Sequence, residues 1–128
     1  MKITTINKKG DWSFPWNDTL IKAAKENKNN NNVGEQLLLE TDQVKVWSIH
    51  LPAGATLPFH QHSKPYFYTA KCKGKSRSYY TNGSVIETTY QKDDIKYFND
   101  LSNKNYFVHN LENIGTTTLI FTTVEFKN

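Results

Sequence analysis

His60 and His62 stand two residues apart in the stretch Phe59-His60-Gln61-His62. In an extended strand, residues i and i+2 project from the same face, so the two imidazoles stand side by side. Neutral imidazole is a common ligand for zinc, copper, iron and nickel. Two rings on one rigid strand need only one or two donors from neighbouring strands. His109 is the natural partner, and His50 is a fourth candidate in a strand where a surface or inter-strand role serves equally well. The spacing suits a divalent metal, with iron, zinc, nickel or manganese the expected cofactor, provided that all three imidazoles converge.

The elements that must position these residues are short. From Gln36 onward the chain runs in segments rich in Val, Ile, Thr, Tyr and Phe, broken by turn residues at the spacing of an all-β barrel or sandwich. Strands are expected near 36–41, 44–51, 56–62, 66–72, 76–81, 84–91, 94–98, 105–111 and 118–126. Val44 to Leu51 alternates as a half-buried strand does and ends at Pro52-Ala53-Gly54. Thr81-Asn82-Gly83-Ser84 carries an Asn-Gly pair, which favours a tight hairpin with positive φ at both central residues.

Residues 1–34 read as an N-terminal extension and 35–128 as the barrel. In the extension, Asn17 or Asp18 can cap a short helix through Leu20, Ile21, Ala23 and Ala24, docked by Phe14, Pro15 and Trp16. The Asn-rich run Lys28–Asn32 reads as an exposed loop.

The histidine pair sits six residues after Gly54 and twelve before Gly74, and Gly54 to Gly74 resembles the first cupin motif. That motif runs G, five residues, H-x-H, three or four residues, E, six residues, G. Both glycines and both histidines match, and the spacing puts Phe67 at the usual Glu position. His109-Asn-Leu-Glu-Asn113 resembles the end of the second motif, H, three residues, N, although the preceding P-x-G part is replaced by a longer loop. The resemblance covers residues 36–126. It implies a jelly-roll or double-stranded β-helix barrel of antiparallel strands, with His60, His62 and His109 directed into its cavity. With Phe67 replacing the carboxylate it implies a three-histidine site, a type found among cupins that handle iron.

Small barrels fill their interior or enclose a ligand, so the expected partner is a small molecule. Phe67, Phe59, Trp47, Phe107 and Phe121 are candidates for an apolar cavity wall. Tyr66 reaches the site if its strand carries a bulge, and otherwise faces outward or into a subunit contact. Arg77, Tyr79, Tyr80, Gln61 and Asn113 are polar groups able to meet a substrate. Arg77 and Tyr79 share a face of their strand; if it is the inner one, Arg77 would clamp a carboxylate in two parallel bonds. Tyr66, Arg77 and Tyr79 are the candidates for a catalytic role, with Glu87 and Glu112 expected to face solvent. The chain lacks a nucleophile elbow, a phosphate loop and a dinucleotide glycine fingerprint. The expected chemistry is oxygenation, isomerisation or lyase cleavage; the alternative is a non-catalytic cupin that binds or senses a ligand without metal.

The net charge of +4 comes from scattered lysines and a single arginine, Arg77, which argues against nucleic-acid binding. No segment has the apolar length of a membrane span or a signal peptide. Cys72 is the only cysteine, so no intramolecular disulfide forms, and a cytoplasmic protein is expected. Leu37-Leu38-Leu39 is a candidate dimerisation segment, and a homodimer is expected.

Overall fold

Alternation along the inner strands decides which face is buried, and the ten strands among the described residues build two sheets. The computed structural model describes residues 1–127. Among them, in chain order, are β1 (Lys2–Asn7), α1 (Asp18–Glu26), β2 (Gln36–Glu40), β3 (Val44–Leu51), β4 (Thr56–His62), β5 (Tyr66–Ala70), β6 (Gly74–Tyr79), β7 (Val85–Tyr90), β8 (Ile95–Phe98), β9 (Phe107–Asn113) and β10 (Leu119–Phe126). One sheet runs β1-β7-β6-β9-β4, the other β2-β3-β10-β5-β8, and the pairings within them are antiparallel. This is the expected jelly-roll barrel with a short N-terminal helix.

β10 shows the rule most plainly: Leu119, Phe121, Thr123 and Glu125 are buried while the residues between them are partly exposed. The inward apolar residues of both sheets form one core, including Ile49, Leu51, Leu57, Leu111, Leu119 and Phe121. A second core lies on the outside of the first sheet, where α1 covers Phe59, Tyr79, Val85 and Val108. α1 starts where Asn17 caps it, the side chain accepting from the Leu20 N–H at 2.8 Å. Trp16, just ahead, is buried in this second core, and its indole N–H donates to the Gly83 carbonyl at 2.8 Å. None of the helices is long and apolar enough to cross a membrane among the described residues.

Two local expectations need correction. Residues 2–7, expected only as part of an N-terminal extension, pair with β7 as an edge strand. The Asn-rich run is an exposed loop, as expected, and it is tied to β4 through Asn30. Asn30 accepts from the Gln61 N–H at 2.7 Å and its amide donates to the Phe59 carbonyl at 3.0 Å, which blunts the exposed edge of β4. The Asn82-Gly83 hairpin has a positive φ only at Gly83 (+97°). The Gly83 N–H bonds the Tyr80 carbonyl at 2.9 Å and the Tyr80 N–H bonds Ser84 at 2.9 Å. The connection is thus a turn followed by a left-handed glycine, the three-residue hairpin, and not the two-residue form.

At Gly74, which starts β6, a Cβ would lie 2.5 Å from Leu119 Cδ2, so any larger residue there requires the Leu119 side chain to shift. β9 begins two residues later than the pattern suggests, at Phe107, because Ser102 and Asn105 close a small turn on each other by paired backbone bonds of 2.9 and 3.1 Å.

Candidate metal centre

β4 would not aim its side chains correctly if it ran straight. Leu57 pairs with Leu111 and His60 pairs with His109, so β4 is one residue longer than β9 over this stretch. The extra residue is a bulge at Pro58-Phe59, where proline has no N–H to give a ladder. Leu57, His60 and His62 thereby all face the cavity, whereas Phe59 turns out beneath Trp16. Phe59 is therefore a core residue of the helix-covered face and not part of the cavity wall.

His60 and His109 are direct cross-strand partners, and His62 stands two residues along the same face. The ring centroids lie 4.7 Å apart for His60–His109, 4.8 Å for His60–His62 and 5.1 Å for His62–His109. One nitrogen from each can be chosen so that all three lie within 4.8 Å of one another. An ion held at about 2.0–2.1 Å by each nitrogen needs them roughly 3.4 Å apart, so the set is slightly more open than a closed coordination sphere. His60 Nδ1 donates to the Pro58 carbonyl at 2.7 Å in the tautomer that leaves Nε2 with its lone pair. A backbone carbonyl fixing the far side of the ring is the arrangement that orients metal-ligating histidines.

The Nδ1 atoms of His62 and His109 are buried with no hydrogen-bond partner. Unmet buried ring nitrogens are costly unless an ion or ligand completes the site. Burial also strips these imidazoles of protons: the His60 pKa is pushed down to about 4, and His62 and His109 fall well below the usual histidine range. At neutral pH the three rings offer lone pairs with no proton to displace. The donor set, its convergence and its unmet nitrogens fit a divalent metal.

Around this cluster the walls are aromatic. Tyr66 stacks on His62 with centroids 4.0 Å apart and planes 16° from parallel. Phe98 stacks on the other face of this ladder, 4.7 Å from Tyr66. Tyr80 packs against His109 at 5.0 Å, and Phe107, expected in the cavity wall, packs against His62 at 5.1 Å and His109 at 4.9 Å without lining the cavity. The cavity, about 80 Å³, is closed further by Val33, Ile49, Phe121, Tyr68 and Tyr90. Burial raises the pKa of the Tyr66, Tyr68, Tyr80 and Tyr90 phenols, keeping them protonated hydrogen-bond donors.

The other expected site residues divide cleanly. Tyr66 faces inward, and it does so by the ordinary alternation of β5, without a bulge in its pairing to β10 or β8. Phe67, expected at the glutamate position, packs on the outer face against Tyr97 and Phe126. Tyr66 is the residue that takes the inward place. Phe121 lines the cavity as expected, whereas Trp47 is buried without lining it.

Arg77 and Tyr79 lie on the face away from the cavity. Arg77 donates through Nε and one Nη to Glu87 at 2.9 and 2.8 Å, and Tyr79 is buried against Trp16. The carboxylate clamp expected of Arg77 is therefore occupied by the chain's own Glu87, which is half-buried and not solvent-facing. Asn113 is structural: its amide donates to Leu51 and Thr117 carbonyls at 2.8 Å each. Gln61 lines a separate outer groove beside α1, and His50 is exposed. Lys96, Phe98, Tyr68 and Tyr90 are cavity residues the sequence reading did not assign. Their signal was alternation on β5, β7 and β8 in register with the histidine face.

No protein-family model and no curated protein matches the chain. Solved structures do. A cupin domain from Bordetella pertussis Tohama I superposes with a TM-score of 0.62 at 20% identity, covering 78% of this chain and 97% of that one. A conserved protein with a double-stranded β-helix domain from Klebsiella pneumoniae gives 0.56 at 24% identity, over 80% and 85%. A cupin family protein from Methanocaldococcus jannaschii gives 0.56 at 21% identity, over 71% and 76%. The chain thus has the double-stranded β-helix fold of the cupins.

Proposed function

We propose that this barrel binds one divalent transition metal through His60, His62 and His109 and holds a small molecule beside it. The observation that carries the reading is the convergence of three uncharged imidazoles, His60 and His62 buried and His109 half-buried, with an unmet ring nitrogen on His62 and on His109. When bound, such an ion supplies Lewis acidity or activates oxygen, which suits oxygenase, isomerase or lyase chemistry. The chain's own part is to hold and to exclude. The Pro58 carbonyl orients His60, and Tyr66 stacks flat on His62. Phe107 packs against both His62 and His109. The protonated phenols of Tyr66 and Tyr80 line the cavity and offer donors to a ligand oxygen.

A second reading, a cavity that binds or senses a ligand without metal, is favoured by Tyr66, which stands inward where a carboxylate donor is expected. One experiment separates the two. Protein made without a histidine tag is stripped with chelator and reconstituted with Fe(II), Zn(II), Ni(II) or Mn(II), and bound metal is counted by mass spectrometry. The proposal expects about one ion per chain for at least one metal, lost in the His60→Ala/His109→Ala double variant. Protein that stays metal-free with all four ions overturns it in favour of the second reading.

A further inference from the structure

We propose that the cavity selects a small anion, whose charged group is held by Lys96 at the mouth while its other end faces the three imidazoles. This deepens the reading of His60, His62 and His109 as the reactive end and rests on it. Lys96 is the one charged side chain among the described residues lining the cavity; the other polar lining groups are neutral hydroxyls and imidazoles. No carboxylate pairs with Lys96 among the described residues. The acid nearest in sequence on its side, Asp94, is already engaged, accepting from the Gln91 N–H at 2.7 Å and pairing with the Met1 ammonium at 3.2 Å. Lys96 is half-buried as a residue, and an ammonium beside a cavity with no carboxylate partner is open to pairing with an anion.

The position of Lys96 is fixed, not incidental. Its ammonium sits over the Phe98 ring, 4.9 Å from the centroid, a cation–π contact that holds it beside the mouth. Phe98 stacks on Tyr66 at 4.7 Å, and Tyr66 on His62 at 4.0 Å. A continuous ladder of rings therefore joins the imidazoles to the ammonium, which lies at most about 14 Å from the His62 ring given these three steps. A flat or apolar body can lie along part of that ladder, and the cavity volume of about 80 Å³ suits a small molecule and not a polymer. Lysine acts as a point charge and not as a fork, so it reads negative charge without demanding a carboxylate. This replaces Arg77, whose guanidinium faces away and is bound to Glu87.

The test is calorimetric titration of the full chain with benzoate, its uncharged isostere benzamide, and methyl phosphate as a second anion. Benzoate is expected to bind about five- to tenfold more tightly than benzamide, the scale of one partly solvated ion pair. Lys96→Met is expected to erase that preference and Lys96→Arg to keep it, with circular dichroism unchanged in both. Methyl phosphate binding that also depends on Lys96 shows that charge and not carboxylate shape is read; binding of benzoate alone narrows the ligand to carboxylates. Equal affinity for benzoate and benzamide overturns the proposal, as does a preference that survives Lys96→Met, or no binding of either anion at concentrations on the order of 10 mM. The His60→Ala/His109→Ala variant tells the two readings apart. An anion preference that persists there, with metal lost, supports Lys96 independently of the ion. Metal binding without anion preference removes Lys96 from the account and leaves the metal centre standing.

Discussion

Acid should unfold the metal-free protein in a way that one histidine substitution can measure. His60 is 2% exposed, and burial pushes its pKa down from 6.5 to about 4. The folded state therefore takes up the proton later than the unfolded state does. Above pH 6.5 both states carry a neutral ring and His60 contributes no pH dependence. As the pH falls below 6.5 the unfolded state is protonated first and gains, so stability drops until the folded ring protonates near pH 4. The full loss from His60 is about 3 kcal/mol, and about 2 kcal/mol of it is already present at pH 5. That is a large share of the roughly 5–15 kcal/mol that holds a domain of this size together. His62 and His109 push in the same direction. The assay is urea unfolding of chelator-treated protein at pH 7.5 and pH 5.0, for the wild type and for His60→Gln, which keeps a neutral polar side chain that does not titrate. The wild type should lose about 2 kcal/mol more than His60→Gln between the two pH values. Identical losses, or a wild type equally stable at both, would refute the claim that these imidazoles are buried and neutral.

Further outcomes follow from packing and edges. Gly74→Ala forces a Cβ to 2.5 Å from Leu119 Cδ2 and should cost about 1–3 kcal/mol in urea unfolding; an unchanged midpoint would show that β6 is free to shift. The edge strand β2 exposes Leu37, Leu38 and Leu39 at 40%, 55% and 53%, and we propose that a second copy covers it. Light scattering should then give twice the 14.8 kDa chain mass, falling to a monomer in Leu38→Lys. A monomeric wild type would contradict that expectation. Glu87→Gln should leave metal binding untouched and change stability by about 1 kcal/mol or less, because its pair with Arg77 is partly solvated and lies outside the cavity. Loss of metal in that variant would mean the outer face supports the site.

Most of the barrel was legible because its strands obey one alternation. β3 and β4 begin and end where the pattern placed them, and the i, i+2 histidines meet His109 because it stands directly across the ladder. What alternation cannot give is which face is inner. Arg77 and Tyr79 share a face in either case, and the outcome depends on α1 and Trp16 covering Tyr79 from outside. Tyr66 and Phe67 differ by one residue in register, and a slip of one exchanges every inward side chain for an outward one. Their placement follows from pairing with Glu125 and Val124 on β10, 59 and 57 residues of sequence away and invisible to local pattern. β1 escaped notice because Lys2–Asn7 buries only Asn7 and so carries no apolar periodicity.

Whether the three imidazoles on β4 and β9 hold a metal ion is decided by a crystal structure of metal-reconstituted protein, with data collected at the absorption edge of the bound element. One anomalous peak should stand among His60, His62 and His109, with nitrogen distances of about 2.0–2.2 Å. Crystals of fully reconstituted protein with no peak among these three side chains, or with the metal bound elsewhere on the chain, would contradict a three-histidine site.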